Sequence, residues 1–215
     1  MIYLNDVLSH QKKEEPVINS SRIQSSKWVE DYVQKHKWLI PIDSKYLLDN
    51  FNFSGLKAFI ENYNFVLSMI RGQLSDSDLL RVTPEIQKSG EILYSLIHAR
   101  YLLTMDGSRG MLSKFQNGDF GCCRRIACHD QHLLPIGLSY NYGDGNAKVF
   151  CPCCRDIYEA DSELDGAAFG LYFPQYFLKF NGDSIKLNVS EQIQLNFQGI
   201  LIDSESNMYR TRYVH

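Results

Sequence analysis

Gly118-Asp119-Phe120-Gly121-Cys122-Cys123-Arg124-Arg125-Ile126-Ala127-Cys128 and, after a loop, Cys151-Pro152-Cys153-Cys154 together hold all six cysteines of the chain. Thiolates packed this densely in two groups point to a metal. Tetrahedral zinc takes four sulfur or nitrogen ligands, and two short chelating turns can each supply a pair. The second turn contains C-x-x-C through Cys151 and Cys154, and the first offers Cys123-x4-Cys128. The 22 residues between Cys128 and Cys151 are enough to fold back and bring the pairs together. We read a four-thiolate zinc ribbon on Cys123, Cys128, Cys151 and Cys154, with one structural zinc per chain. On the residues alone other registers stay open: Cys122 for Cys123, Cys153 for Cys154, or His129 for Cys128. A disulfide cluster is the competing reading. Disulfides belong to oxidising compartments, and Met1-Ile2-Tyr3-Leu4-Asn5-Asp6 shows neither the basic nor the apolar region of a secretory leader. A closed four-sulfur site leaves no open position for water, so it argues for a scaffold and not for metal catalysis.

Composition agrees. Of the 215 residues 44% are hydrophobic, which is globular and not disordered. The net charge of −3 gives no general nucleic-acid footprint. No apolar run is long enough to cross a bilayer. The reading is a soluble, intracellular protein in a reducing compartment.

Outward from the cysteines, the chain divides into four parts. Residues 1–27 read as a polar tail that cannot bury enough surface to order itself. Residues 28–116 read as a helical domain. Trp28 and Tyr32 lie at helical spacing. Asp43 is placed to cap Ser44 to Asn50. Leu56, Phe59, Ile60, Tyr63, Val66, Leu67 and Ile70 predict one amphipathic helix, capped by Ser54 and stopped by Gly72. Gln73 to Val82 is a polar connection. Thr83-Pro84-Glu85 is a helix start, and the helix should run to Met105 and end at Gly107. A short helix with Met111, Leu112 and Phe115 closes at Gly118. His98, alone in the longest helix, reads as a satisfied core residue.

Residues 117–180 read as the ribbon. Leu134–Leu138, Lys148–Phe150 and Ile157-Tyr158 are short strands of a small antiparallel sheet. Such a sheet is too small for its own core, and metal binding would supply folding energy. The aromatic run Phe169, Tyr172, Phe173, Tyr176, Phe177, Phe180 must pack on its own chain or on a second copy. In residues 181–215, Ile185, Leu187 and Val189 alternate with polar residues, as do Ile193, Leu195 and Phe197. Joined by Ser190-Glu191-Gln192, they predict a hairpin offered to a partner. The fold class is α+β: a helical domain, a four-cysteine ribbon and a C-terminal hairpin.

There is no glycine-rich phosphate loop, G-x-S-x-G elbow or H-E-x-x-H. Asp119-Phe120-Gly121 matches a kinase triplet, but the glycine-rich loop, strand lysine and catalytic loop of a kinase are missing. Two other functions have some support in the residues. Arg124-Arg125 inside the first turn would suit a nucleic-acid or protein-interaction module, against the acidic net charge. A metalloenzyme would need an open zinc position.

Longer motifs carry a resemblance. Asn50-Phe51-Asn52-Phe53-Ser54-Gly55-Leu56, Leu93-Tyr94-Ser95-Leu96-Ile97-His98-Ala99-Arg100-Tyr101 and Gln116-Asn117-Gly118-Asp119-Phe120-Gly121 are three of them. Leu134-Pro135-Ile136-Gly137-Leu138-Ser139, Cys151-Pro152-Cys153-Cys154 and Asp165-Gly166-Ala167-Ala168-Phe169-Gly170, ending in Phe173-Pro174, are the others. In order and spacing, residues 28–180 resemble the regulatory (beta) subunit of casein kinase II. The resemblance implies a non-catalytic protein whose four zinc cysteines are Cys123, Cys128, Cys151 and Cys154. It implies a homodimer formed through the ribbon, carrying two catalytic kinase subunits and influencing the choice of protein substrates. It implies a cytoplasmic and nuclear location, with membrane and nucleic acid not expected. The kinase-contacting hairpin falls at Ile193, Leu195, Phe197, Gly199, Ile200 and Ile202. Three departures stand out. The family's N-terminal serine-acidic segment is not seen, its acidic loop is reduced to Asp76 and Asp78, and Gln198 and Ile200 stand where it has aromatic anchors. Ser75-Asp76-Ser77-Asp78 resembles the acidic sites this kinase phosphorylates.

Overall fold

The computed structural model describes residues 26–189 and the backbones of Leu195–Phe197 and Ile200–Ile202. The tail expected over 1–27 therefore lies, as far as residue 25, outside the described residues.

The first helix, α1, is Lys27–Lys35; it begins because Ser26 accepts the Val29 N–H, and it buries Val29 and Tyr32. Trp28 stacks on Tyr32 with ring centroids 5.1 Å apart. The short α2, Ser44–Leu48, is capped by Asp43 as the sequence predicts, through bonds from the Lys45 and Tyr46 N–H groups.

The single helix expected from Leu56 to Ile70 does not form. Two 3₁₀ turns, Asn50–Phe53 and Leu56–Phe59, precede a break, and α3 is only Tyr63–Ile70. The break lies at Asn62, whose φ of 52° is left-handed. The apolar repeat still reaches the core, because Leu56 and Ile60 bury from the turns while Val66, Met69 and Ile70 bury from α3. Ser54 is not a cap. Its carbonyl and that of Asn52 accept from the Arg100 guanidinium at 3.0 and 2.7 Å, so α5 holds this irregular stretch in place. The polar connection that follows contains one further turn, α4 (Asp76–Leu79), closed by a reciprocal capping box between Ser75 and Asp78.

The long helix α5, Pro84–Leu102, starts at the Thr83 cap as expected. It ends three residues before Met105. Thr104 accepts the Gly107 N–H and starts α6, Met105–Gly110. Gly107 is thus inside a helix and does not stop one. It is glycine because a Cβ there would lie 2.1 Å from the Tyr101 carbonyl oxygen. The next helix, α7, is Leu112–Asn117 and closes at Gly118, which is left-handed at φ 73°.

The sheet is antiparallel in the order β1 (Leu134–Ile136), β2 (Lys148–Phe150), β3 (Ile157–Tyr158). Pro135 faces Val149, and Val149 faces Tyr158. The aromatic segment packs on its own chain. It forms a 3₁₀ turn at Gly166–Ala168 and then α8, Phe173–Asn181, with Phe169, Phe173 and Phe177 essentially inaccessible. Gly137 and Gly166 touch so closely that a Cβ on Gly137 would sit 2.0 Å from the Gly166 oxygen. One continuous buried cluster runs from Val29 through Leu102 and Leu134 to Phe177.

The hairpin expected between 185–189 and 193–197 is replaced by another. No strand covers Ile185–Val189, whereas β4 (Leu195–Phe197) pairs antiparallel with β5 (Ile200–Ile202). The backbone N–H of Asn188 is engaged elsewhere, by the Gln131 side chain at 2.7 Å. Among the described residues no helix is long and apolar enough to cross a membrane.

His98, on α5, is fully buried. Its Nε2 accepts the Ile40 N–H at 3.2 Å, which leaves Nδ1 to donate to the Ala168 carbonyl at 2.7 Å. One neutral imidazole thus joins three separate parts of the chain, and burial lowers its pKa to about 4 from 6.5. Protonation would abolish the Ile40 bond. Because the unfolded chain takes up this proton near pH 6.5 and the folded chain only near 4, stability is fully present above pH 6.5 and falls towards 4. The loss through this group comes to about 3 kcal/mol. Urea midpoints measured from pH 7 to 4 should show that extra loss in the wild-type chain and not in His98→Gln.

Candidate metal centre

Each cysteine turn is built by backbone bonds that reverse the chain. In the first, a 3₁₀ turn at Ile126–Cys128 passes into left-handed His129 (φ 48°) and Asp130 (φ 54°). The Gln131 N–H then bonds the Cys128 carbonyl at 3.0 Å, and the Cys123 N–H bonds the Gln131 carbonyl at 2.8 Å. In the second, the Cys151 carbonyl accepts the Arg155 N–H at 2.8 Å, Arg155 is left-handed at φ 62°, and the Cys151 N–H bonds the Asp156 carbonyl at 3.0 Å. Pairing of β2 with β3 carries this second turn, and the isolated bridge Cys122–His132 steadies the first. Arg125 and Asp156 join the two turns across solvent at 3.1 Å.

The result is a convergence of four sulfurs. The Sγ atoms of Cys123, Cys128, Cys151 and Cys154 all lie within 4.8 Å of one another. Cys123 and Cys154 are 3.9 Å apart. That is too long for a disulfide of about 2.05 Å. It fits the edge of about 3.8 Å that a tetrahedron with zinc–sulfur arms of about 2.3 Å requires. The first three thiols are buried and Cys154 is half-buried. Cys122 is exposed and Cys153 stands outside the cluster, as does His129, so the three alternative registers are not those the fold assembles.

The electrostatics suit a cation. Burial pushes the Cys128 thiol far up and the Cys151 thiol up to about 12, so neither ionises unaided. At Cys154 burial also resists ionisation, but hydrogen bonds from the Tyr158 hydroxyl and the Asp156 backbone bring it down to about 7. The Tyr158 hydroxyl lies 3.1 Å from the Cys154 sulfur and 3.9 Å from that of Cys123, and burial beside these sulfurs raises its own pKa. Four thiols so placed could hold a metal ion, whose binding would expel their protons.

Sequence reading missed three supports of this site. In the sequence Tyr158 reads only as a strand residue. Gln131 is buried in the first turn and accepts from the Asn188 N–H. Asn188 donates its amide to the Cys128 and His129 carbonyls at 3.0 and 2.8 Å. A contact spanning some sixty residues leaves no local signal, although the four-residue step from Cys154 to Tyr158 could have suggested the tyrosine. Of the expected partner-contacting residues, Leu195, Phe197, Ile200 and Ile202 lie on β4 and β5, while Ile193 and Gly199 lie outside the described residues.

Residues 27–200 match the family described as casein kinase II regulatory subunit. A curated relative, casein kinase II subunit beta' of Drosophila melanogaster, is 35% identical over 196 residues, covering 86% of this chain and 87% of its own. The protein of that name from Saccharomyces cerevisiae is 31% identical over 193 residues, covering 85% of this chain and 75% of its own. Casein kinase II subunit beta of Dictyostelium discoideum is 38% identical over 158 residues, covering 70% and 59%. With four converging thiols on a small sheet beneath a helical layer, and a match over most of its length, the chain belongs to the casein kinase II regulatory subunit family.

Proposed function

We propose that this chain is a non-catalytic subunit that holds one structural zinc ion, pairs with a second copy through its ribbon, and binds kinase catalytic subunits through its C-terminal hairpin. The observation that carries the reading is the convergence of four sulfurs within 4.8 Å in a chain of this family. Zinc would supply the positive charge that keeps all four thiolates ionised and ties the two turns together. The protein's own part is to aim Cys123, Cys128, Cys151 and Cys154 at one point and to support Cys154 with the Tyr158 hydroxyl.

Exposed apolar residues at the metal end support the pairing of two copies. Ile126 is 84% exposed and Ile157 is 44% exposed, each directly following one member of the Arg125–Asp156 ion pair. Apolar groups grouped beside a rigid centre are a common mark of an interface. Arg125, one of two arginines that would suit nucleic acid, is already committed to Asp156. Membership of a casein kinase II regulatory subunit family supports a catalytic subunit of that kinase as the partner. Two such subunits per dimer, and an influence on the choice of protein substrates, complete the proposal. Reduced thiols at the site fit the proposed cytoplasmic and nuclear location.

Co-expression with a casein kinase II catalytic subunit, followed by native mass spectrometry, tests the whole reading. A complex of two regulatory and two catalytic chains with one zinc per regulatory chain is expected; a zinc-free monomer would overturn it. Ile126→Glu should convert the dimer to a zinc-loaded monomer in sedimentation, and an unchanged dimer would move the interface elsewhere. Tyr158→Phe, which removes only the hydroxyl facing Cys154, should weaken zinc retention against a chromophoric chelator by about tenfold.

A further inference from the structure

Among the described residues after α8, the most extensive set of side-chain hydrogen bonds goes to the metal end. Past Asn181 the chain turns once at Gly182–Ser184 and runs without strand pairing through Ile185–Val189. Within that run Asn188 makes three hydrogen bonds, all to the first cysteine turn. Its N–H donates to the buried Gln131 Oε1 at 2.7 Å, and its side-chain amide donates to the carbonyls of Cys128 and His129 at 3.0 and 2.8 Å. Cys128 is one of the four converging thiols, and His129 is left-handed. The two carbonyls belong to the segment that must hold its shape for Cys128 to face the other sulfurs.

We propose that Asn188 is a positioning residue that makes the cysteine turn the anchor of the partner-binding hairpin, linking metal occupancy to hairpin placement. The inference rests on the zinc and hairpin reading above. Its physical basis is tether length. From Asn188 to Leu195, where β4 begins, is seven residues, which confines the hairpin to within about 25 Å of the turn. Without the clamp the last attachments are Ser184, whose carbonyl accepts from Gln116 at 3.3 Å, and Ile185, which packs against the core. The tether from Ile185 to Leu195 is then ten residues, a reach of about 35 Å. A shorter tether raises the concentration of the hairpin at one place. Linkage is reciprocal, so a partner that fixes the hairpin also strengthens metal retention.

Hydrogen exchange on the full-length chain, read by mass spectrometry with zinc content measured in parallel, tests this. In the zinc-loaded wild type, peptides covering 185–202 should exchange about tenfold more slowly than after chelation. In Asn188→Leu they should exchange at the fast rate already, with one zinc per chain retained and no further change on chelation. Asn188→Asp keeps the size but sets a carboxylate against two carbonyls, and should behave alike. Wild-type rates in either variant, or rates indifferent to chelation in the wild type, would overturn the proposal while leaving the zinc reading intact. A purified wild-type chain without zinc would instead overturn the zinc reading and this proposal with it.

Discussion

Everything at the metal end depends on one constraint: four sulfurs cannot be held within 4.8 Å as thiolates without a cation among them. Like charges at that spacing in a poorly solvated site repel strongly. As neutral thiols they give up little in return, because a thiol is a weak donor. The backbone has nevertheless been shaped to bring them together, with left-handed residues at His129, Asp130 and Arg155. Such conformations are unfavourable for residues with a Cβ and persist only where the surroundings fix them. The two-residue β3 and its three-residue neighbours cannot supply that force alone. The site and the sheet are therefore one energetic unit, in which a bound metal would add to the core that Leu134 and Val149 share with the helical layer.

The helical layer supplies the second fixed frame. His98 bonds Ile40 on one side and Ala168 on the other, and its imidazole must stay neutral to do both. Gly137 and Gly166 meet backbone to backbone, which brings the strand β1 side against the turn preceding α8. Phe169, Phe173 and Phe177 then fill the space beside α5 and α6.

What could be read from the sequence were features governed by near neighbours. The caps at Asp43 and Thr83, the stop at Gly118 and the three ribbon strands depend on residues a few positions apart. The cysteine spacing named the thiols, but only the resemblance chose among the registers before the fold did so geometrically. The misreadings share a cause. The run from Leu56 to Ile70 has helical period, yet the backbone turns left-handed at Asn62, and Arg100, nearly fifty residues away, holds the irregular stretch before it through the Asn52 and Ser54 carbonyls. Ile185 to Val189 alternates like a strand, yet Gln131 claims the Asn188 N–H. At Gly107 what matters is the close approach of Tyr101, six positions away, rather than backbone freedom. In all three a contact outside the local pattern overrode it.

The continuous cluster from Val29 to Phe177 has a bearing on how the chain can be handled and how it can evolve. The ribbon looks portable, a small metal-tied unit that might be excised and grafted. Its strand β1 and the aromatic helix α8 are instead walls of the same interior that the helical layer lines. A fragment cut at residue 117 would bare Phe115 on one piece and Phe177, its ring neighbour at 5.2 Å, on the other. Gene fusions, shuffled exons or expression truncations that part the two halves should thus yield insoluble pieces.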